Sequence, residues 1–215
     1  MIRIARPVAD GAKWFRFRTR ILHATASVDD FHQIIRLRLQ PSIVQQLLRV
    51  VVNRLPLSIQ TWFESSFPGW NLPPKLVIKK HKGKDWNEEF GAEKAAYTKL
   101  QPLQGVVIPK CSGELRYEGT SALLLSDIGG VCLATPEGSL LEVPEFRRML
   151  FQALDALSRF RIQQDDIKLD NFQFTGDRTM ALDFERLRDE YPSDDLLLSD
   201  VKSAVNFLAE SYEGK

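Results

Sequence analysis

The feature that most constrains the fold of this chain is a polar segment followed by two short apolar strands and an acid. Residues 166–171 read D-I-K-L-D-N and give the spacing D-x-K-x-x-N. Residues 172–174 alternate apolar and polar as a strand does, residues 175–177 favour a turn, and residues 179–182 predict a second strand. Because a hairpin returns the chain to its starting point, we expect Asp183 to lie beside Asn171.

These residue types suit metal-assisted phosphoryl transfer. That reaction needs a carboxylate to take the proton of the attacking hydroxyl and a cation to offset the charge of the phosphoryl group. It also needs oxygen ligands for Mg²⁺, which an amide and a second carboxylate supply. Asp and Asn are also common turn residues, so a solvated loop is the alternative for the segment taken alone.

The combination resembles the protein kinase-like superfamily, whose catalytic loop reads H-R-D-L-x-x-x-N and whose metal-binding turn reads D-F-G. Four residues match that pattern one by one: Asp166, Lys168, Asn171 and Asp183. The chain looks most like the small fungal-type protein kinase-like proteins. The resemblance implies ATP and Mg²⁺, with Asp166 as catalytic base, Lys168 stabilising the transferred group, and Asn171 and Asp183 holding metal.

The sequence also departs from the superfamily pattern. Gln164 and Asp165 stand where the family has His and Arg, and Glu185 stands where it has Gly. The D-F-E turn is similar to that of aminoglycoside and choline phosphotransferases, whereas Lys168 is the protein-kinase choice. The chain contains no G-x-G-x-x-G motif, the loop whose backbone amides cover the ATP phosphates.

A second pair of charges lies upstream. The strand at 76–79 ends in Lys79, with Lys80 as a register alternative, and resembles the V-A-I-K strand whose lysine contacts the nucleotide phosphates. The predicted helix at 86–100 has an apolar stripe with Glu93 in its middle, and a buried carboxylate needs a cation. We therefore predict a Lys79–Glu93 ion pair; the fallback acids are Glu88 and Glu89.

The rest of the chain is predicted to complete an α+β, bilobal protein kinase-like fold. The N-lobe, 1–127, is an antiparallel sheet with an extra helix at about 41–55 and with the helix at 86–100, which corresponds to helix C of the family. Residues 128–215 form a short, mainly helical C-lobe. Residues 126–130 match the hinge between lobes, which makes Asp127 and Ile128 candidate nucleotide contacts. Further predictions are an irregular arm at 1–13, strands at 15–21, 35–39 and 106–109, a turn at 23–27, a strand hairpin at 113–125, and helices at 144–160 and 196–211. Asp200 is predicted to cap the last helix, and it resembles the aspartate with which the family braces its catalytic loop.

Two functions from different classes follow. The first is an ATP-dependent phosphotransferase that moves the γ-phosphate to a hydroxyl of a protein or small molecule, and a small-molecule kinase of the aminoglycoside or choline type is a variant of it. The second is a catalytically inactive pseudokinase that acts as a binding or scaffold protein, which the missing glycine loop and the short C-lobe favour. The retained ionic residues favour an enzyme.

Composition bounds the partners and the compartment. The formal net charge is +1, which gives no overall basic field for nucleic acid or an anionic membrane, so neither is expected as a partner. Cys111 and Cys132 lack zinc-site spacing and favour two free thiols over a disulfide. No apolar run approaches the ~20 residues that span a bilayer, and the first residues lack a signal-peptide pattern. We expect an intracellular, cytoplasmic protein.

Overall fold

The computed structural model describes residues 8–18, 20–28, 34–40, 42–70, 72–83, 86–138, 141–188 and 193–214. It divides into two compact units. Unit 1 comprises Met1–Lys84 and Cys111–Asp127, and unit 2 comprises Asp85–Lys110 and Ile128–Lys215. The fold is a mixed α+β structure with antiparallel sheets, as predicted; the assignment of lobes at 1–127 and 128–215 stays a prediction.

Unit 1 is built on a six-stranded antiparallel sheet with the order β1-β2-β3-β4-β6-β5. Its strands are β1 (Val8–Phe17), β2 (Arg20–Val28), β3 (Ile34–Leu39), β4 (Lys75–Lys80), β5 (Cys111–Tyr117) and β6 (Thr120–Ser126). Strict alternation explains β3, where Ile35, Leu37 and Leu39 are buried while Arg36 and Arg38 are exposed. The buried faces form one apolar core.

The start of the sheet differs from the prediction. The strand expected at 15–21 is two strands, because the chain reverses between Phe17 and Arg20, which pair with each other. The expected turn at 23–27 lies inside β2, where Ala24 and Ala26 are buried small residues. Residues 8–13, expected to be irregular, belong to β1. The basic and apolar alternation continues through the turn without Gly or Pro, so the pattern gave no sign of it.

The extra helix predicted at about 41–55 is present as α1 (Ile43–Val52), and a second helix, α2 (Leu57–Ser66), follows it. The Gln60 side-chain amide donates to the carbonyl of Leu55 at 2.7 Å, which ties α2 to the turn after α1. α2 was not predicted from the sequence.

Unit 2 contains three longer helices and short strands. These are α3 (Asn87–Lys99), β7 (Val131–Cys132), α4 (Val143–Ser158), β8 (Gln163–Gln164), β9 (Phe172–Phe174), β10 (Thr179–Ala181), β11 (Leu187–Arg188) and α5 (Asp194–Glu213). The apolar faces of α4 and α5 pack together, and Phe146 stacks on Tyr212 with ring centroids 4.1 Å apart. β9 pairs with β10 and β7.

Several predictions for unit 2 are confirmed and two are wrong. The helices predicted at 86–100, 144–160 and 196–211 and the hairpin after residue 171 are present. Residues 105–107 form a turn and Ile108 makes only an isolated bridge with Gln104, so the strand expected at 106–109 is not formed. The final helix is capped by Ser193, whose hydroxyl accepts from the Leu196 amide at 3.3 Å, and Asp200 lies inside the helix.

Both cysteines are free thiols, as predicted. Within the described ranges, no helix combines the length and apolar character needed to cross a bilayer.

Candidate active site

The predicted loop and the predicted metal-binding turn lie side by side in unit 2. β8 pairs with β11, so the chain enters and leaves this region through the same two-stranded ladder. A single helical turn at Leu169–Asn171 leads into β9, and the β9–β10 hairpin brings the chain back. The Leu182 amide then donates to the Asn171 carbonyl at 2.7 Å. Asp183 follows Leu182 directly, so this hydrogen bond holds Asp183 close to Asn171.

Lys168 and Asp166 form an ion pair at the loop surface. Lys168 Nζ lies 2.7 Å from Asp166 Oδ2, and each side chain is about half exposed. The hydrogen bond to Asp166 raises the pKa of the Lys168 ammonium above its ordinary 10.5; partial burial opposes this shift, and the charges of Asp166, Asp183 and Asp170 reinforce it. Lys168 therefore carries its positive charge throughout the neutral range, close to three carboxylates.

Asn171 is buried and holds the loop closed. Its side-chain Nδ2 donates to the Asp166 carbonyl at 2.7 Å, and its backbone amide donates to the Lys168 carbonyl at 3.1 Å. The bond to the Asp166 carbonyl uses the side-chain nitrogen Nδ2, so it does not involve the side-chain oxygen. Asn171 thus fixes the backbone that carries Asp166 and presents a neutral oxygen ligand on the same loop.

The turn that carries Asp183 has an unusual backbone and an acidic lining. Asp183 has φ of +60°, a left-handed conformation that Asp and Asn tolerate better than other residues with side chains. Its Oδ1 accepts from the Glu185 amide at 3.4 Å, and Glu93 Oε1 accepts from the Phe184 amide at 3.4 Å. Carboxylate oxygens of Glu93, Asp183 and Glu185 lie within 4.8 Å of one another.

This donor set fits a hard divalent cation. Mg²⁺ prefers carboxylate and amide oxygens, and three carboxylates at this separation repel one another unless a positive charge lies between or beside them. Asp183 and Glu185 are partly exposed, whereas only 1% of Glu93 is exposed. The residues that would hold a metal are therefore Asp183 and Glu185, with Asn171 on the neighbouring loop and Glu93 beneath them.

Phe184 anchors the turn in the core of unit 2. Its side chain is fully buried, and its ring makes an edge-on contact with Tyr97 of α3, with centroids 5.6 Å apart. The same helix supplies Glu93, so α3 contacts both the backbone and the side chain of Phe184. Packing against α3 thereby positions the acid that precedes Phe184.

Gln164 is a positioning residue that the sequence analysis treated only as a departure from the family pattern. Its side-chain nitrogen donates to the carbonyls of Leu182 and Asp183, the second at 2.7 Å. The residue is almost completely buried. Gln164 therefore connects the start of the loop that carries Asp166 to the backbone of Asp183, and no signal in the sequence indicated this role.

We expect Gln164→Leu to destabilise unit 2 by about 1–3 kcal/mol, because the two partly buried carbonyls lose their shared donor. Urea unfolding monitored by circular dichroism measures this change. Gln152→Leu is the matched control, since Gln152 is exposed on α4 and its side-chain bond is to a neighbouring arginine. Equal stabilities of the two variants would contradict the bracing role.

Arg188 makes two surface ion pairs that the sequence did not reveal. Its Nη2 lies 2.9 Å from Asp165 Oδ1, and its Nη1 lies 3.9 Å from Asp200 Oδ2. Asp200 was predicted to cap α5 and to resemble the aspartate that braces the loop in the family. The cap is Ser193, and the contact of Asp200 with the loop runs through Arg188.

The remaining predicted nucleotide residues lie apart along the chain. Lys79 is on β4, opposite Ile34 and Leu123, in unit 1. Asp127 follows β6; its carboxylate lies 3.4 Å from Arg36 Nη1. Ile128 begins unit 2 and is partly buried. The Lys79–Glu93 pair would join the two units and stays a prediction, as do the nucleotide roles of Asp127 and Ile128.

Comparisons with known proteins found a distant structural similarity. The sequence matches no protein-family model and no curated protein. Among solved structures it is similar to the bifunctional kinase-methyltransferase WbdD, with 15% identity, a TM-score of 0.46, and coverage of 62% of this chain and 32% of that chain. This chain thus spans about a third of the length of that protein. The functional argument rests on the loop and turn described above.

Proposed function

We propose that this protein is an ATP- and Mg²⁺-dependent phosphotransferase with a protein kinase-like fold. The observation that carries the proposal is the grouping of Asp166, Lys168 and Asn171 on one loop beside the Asp183 turn, joined by the bond from the Leu182 amide to the Asn171 carbonyl. A base, a cation and oxygen ligands for a metal are the parts that phosphoryl transfer needs.

Each residue has a distinct role in the proposed reaction. The acceptor hydroxyl loses its proton to Asp166 while its oxygen forms a bond to the γ-phosphorus, and the bond from that phosphorus to the bridging oxygen breaks with its electron pair leaving on ADP. Lys168, protonated and 2.7 Å from Asp166, neutralises charge on the transferred group. Bound Mg²⁺ would supply further neutralisation of the phosphates. Asp183 and Asn171 are the ligands we assign to it, with Glu185 as a third.

A scaffold function is the second candidate, because one observation favours it. The sequence between the first three strands, residues 18–19 and 29–33, contains no glycine, and its second part includes Asp29 and Asp30. Backbone amides cover nucleotide phosphates closely only where side chains are small, and aspartates repel phosphate. A scaffold protein of this kind would keep the kinase-like fold but would not transfer phosphate.

Thermal unfolding with and without millimolar ATP and Mg²⁺ tests the nucleotide site. Ligand at ~100 times its dissociation constant adds about 2.7 kcal/mol, which raises Tm by roughly 5 to 10 °C for a chain of this size. We expect a shift that requires Mg²⁺ and that Asp183→Asn removes. Asn is the matched replacement because it tolerates the left-handed backbone of Asp183 while losing the negative charge.

Two results separate the alternatives. A magnesium-dependent shift with release of phosphate from ATP supports the enzyme, whereas a shift without turnover supports the scaffold. If neither ATP nor Mg²⁺ changes the Tm of the wild-type protein, the nucleotide site is absent and the phosphotransferase proposal is wrong.

A further inference from the structure

The two helices inserted between β3 and β4 have their apolar side chains on the outside. On α1, the exposed large residues share one face, and Ile43 is 76% exposed. They are Ile43, Val44, Leu47, Val50 and Val51. Gln45 lies on the opposite side, is 3% exposed, and donates through Nε2 to the Trp70 carbonyl at 3.3 Å. The side of α1 that carries Gln45 therefore faces its own unit, and the side that carries Ile43 and Leu47 is exposed.

The following helix extends this exposed apolar surface. Leu57 is 80% exposed and Trp62 is 60% exposed, and the Trp62 ring meets Phe67 edge-on at 6.0 Å. α1 and α2 also contact each other. We call these exposed apolar residues of α1, α2 and Phe67 the apolar helix-pair face. Exposed apolar side chains gathered on two neighbouring helices mark an interaction surface, because burying each such side chain is favourable.

The distribution of charge identifies the partner. Unit 1 contains sixteen lysines and arginines against seven aspartates and glutamates, whereas unit 2 contains thirteen against twenty-one. Within residues 42–70 the charged residues are Arg49, Arg54 and Glu64. The sequence predicted no anionic membrane as a partner because the net charge of the whole chain is +1. That value is the sum of a positively charged unit 1 and a negatively charged unit 2. A basic unit that presents apolar helices is complementary to an anionic lipid surface.

The other occupants fit less well. Two copies that met through this face would bring two strongly basic units together, and like charges oppose that contact. A folded protein partner needs hydrogen bonds that set its register, about ten in a typical interface, and the exposed face of α1 is made of aliphatic side chains. Leu57 and Trp62 project outward, as residues that enter the headgroup region do, and Trp is favoured at that depth.

We propose that the apolar helix-pair face binds the surface of membranes rich in anionic phospholipid. α1 and α2 have ten residues each and are too short to span a bilayer, so they lie in the interface, with their apolar side chains among the acyl chains and the basic residues of unit 1 drawn to the headgroups. This proposal is independent of the phosphotransferase chemistry in unit 2.

Vesicle cosedimentation with the full chain tests it. We compare phosphatidylcholine vesicles with vesicles that contain about 30% phosphatidylserine. We expect binding to the anionic vesicles and about tenfold or greater weakening in 1 M salt, where the screening length falls from about 10 to 3 Å. The double variant L57S/W62S should bind at least about tenfold more weakly, because it removes two apolar side chains that are already exposed and leaves the core unchanged.

The matched control is the double variant L198S/F207S, which removes exposed apolar residues of α5 in unit 2 and should bind like the wild type. Equal binding to neutral and anionic vesicles, or no binding to either, overturns the proposal. A concentration-dependent dimer in sedimentation velocity that L57S/W62S abolishes also overturns it and assigns the face to a second copy. An equal loss in L198S/F207S overturns the assignment to α1 and α2.

Discussion

Asp166→Asn is expected to lower the rate of phosphoryl transfer by about 10²- to 10⁴-fold, because the acceptor hydroxyl loses its proton acceptor. The Asp166 side chain is half exposed, and its main partner is Lys168 at 2.7 Å, so the substitution should change stability little. The magnesium-dependent Tm shift with ATP should remain, because Asp183 and Asn171 are unchanged. Release of phosphate from ATP, with water as the acceptor, gives the rate.

Asp165→Asn is the control for this prediction. Asp165 is the adjacent acid and is similarly exposed, but its carboxylate pairs with Arg188 at 2.9 Å rather than with Lys168. We expect its rate to stay within a fewfold of wild type. If both variants lose the same activity, Asp166 has no special role as a base. If the wild-type protein binds ATP but releases no phosphate, the protein is a scaffold.

The parts of the fold that follow a short-range pattern were predictable from the sequence. The alternation at 172–182 predicted the β9–β10 hairpin, and helical spacing predicted α3, α4 and α5. The β1–β2 hairpin was missed because the sequence between Phe17 and Arg20 contains no Gly, Pro or Asn. Burial in the sheet, rather than turn chemistry, decides where the chain reverses.

In the candidate site, too, the residues close in sequence were predictable and the contacts between distant residues were not. Asp166, Lys168, Asn171 and Asp183 are close in sequence, so spacing alone predicted that they would gather on one loop and the turn that follows. Gln164 donates to backbone carbonyls and Arg188 pairs with Asp165. No rule of sequence spacing predicts either contact. The ion pair predicted between Glu93 and Lys79 stays a prediction; the Glu93 carboxylate also accepts from the Phe184 amide, a contact that the sequence did not indicate. A helix packed on the turn, rather than sequence order, brings that acid to the site.

Phe184→Ala is expected to destabilise unit 2 by about 3–5 kcal/mol, because it leaves a cavity beside Tyr97 where a fully buried ring had been. This corresponds to a fall in Tm of roughly 6 to 20 °C. Phe207→Ala, at an exposed position of α5, should change stability by less than about 0.5 kcal/mol. Differential scanning calorimetry measures both variants.

Phe146→Ala separates a general loss of stability from a local effect on the site. Phe146 is also fully buried in unit 2, but its ring stacks on Tyr212 of α5 rather than on the helix that carries Glu93. We expect a similar fall in Tm for both variants. At a temperature where both remain folded, Phe146→Ala should keep the magnesium-dependent ATP affinity. Phe184→Ala should weaken it, because the Asp183 turn loses the ring that fixes its position. Equal affinities in the two variants would show that packing of Phe184 does not position the acid.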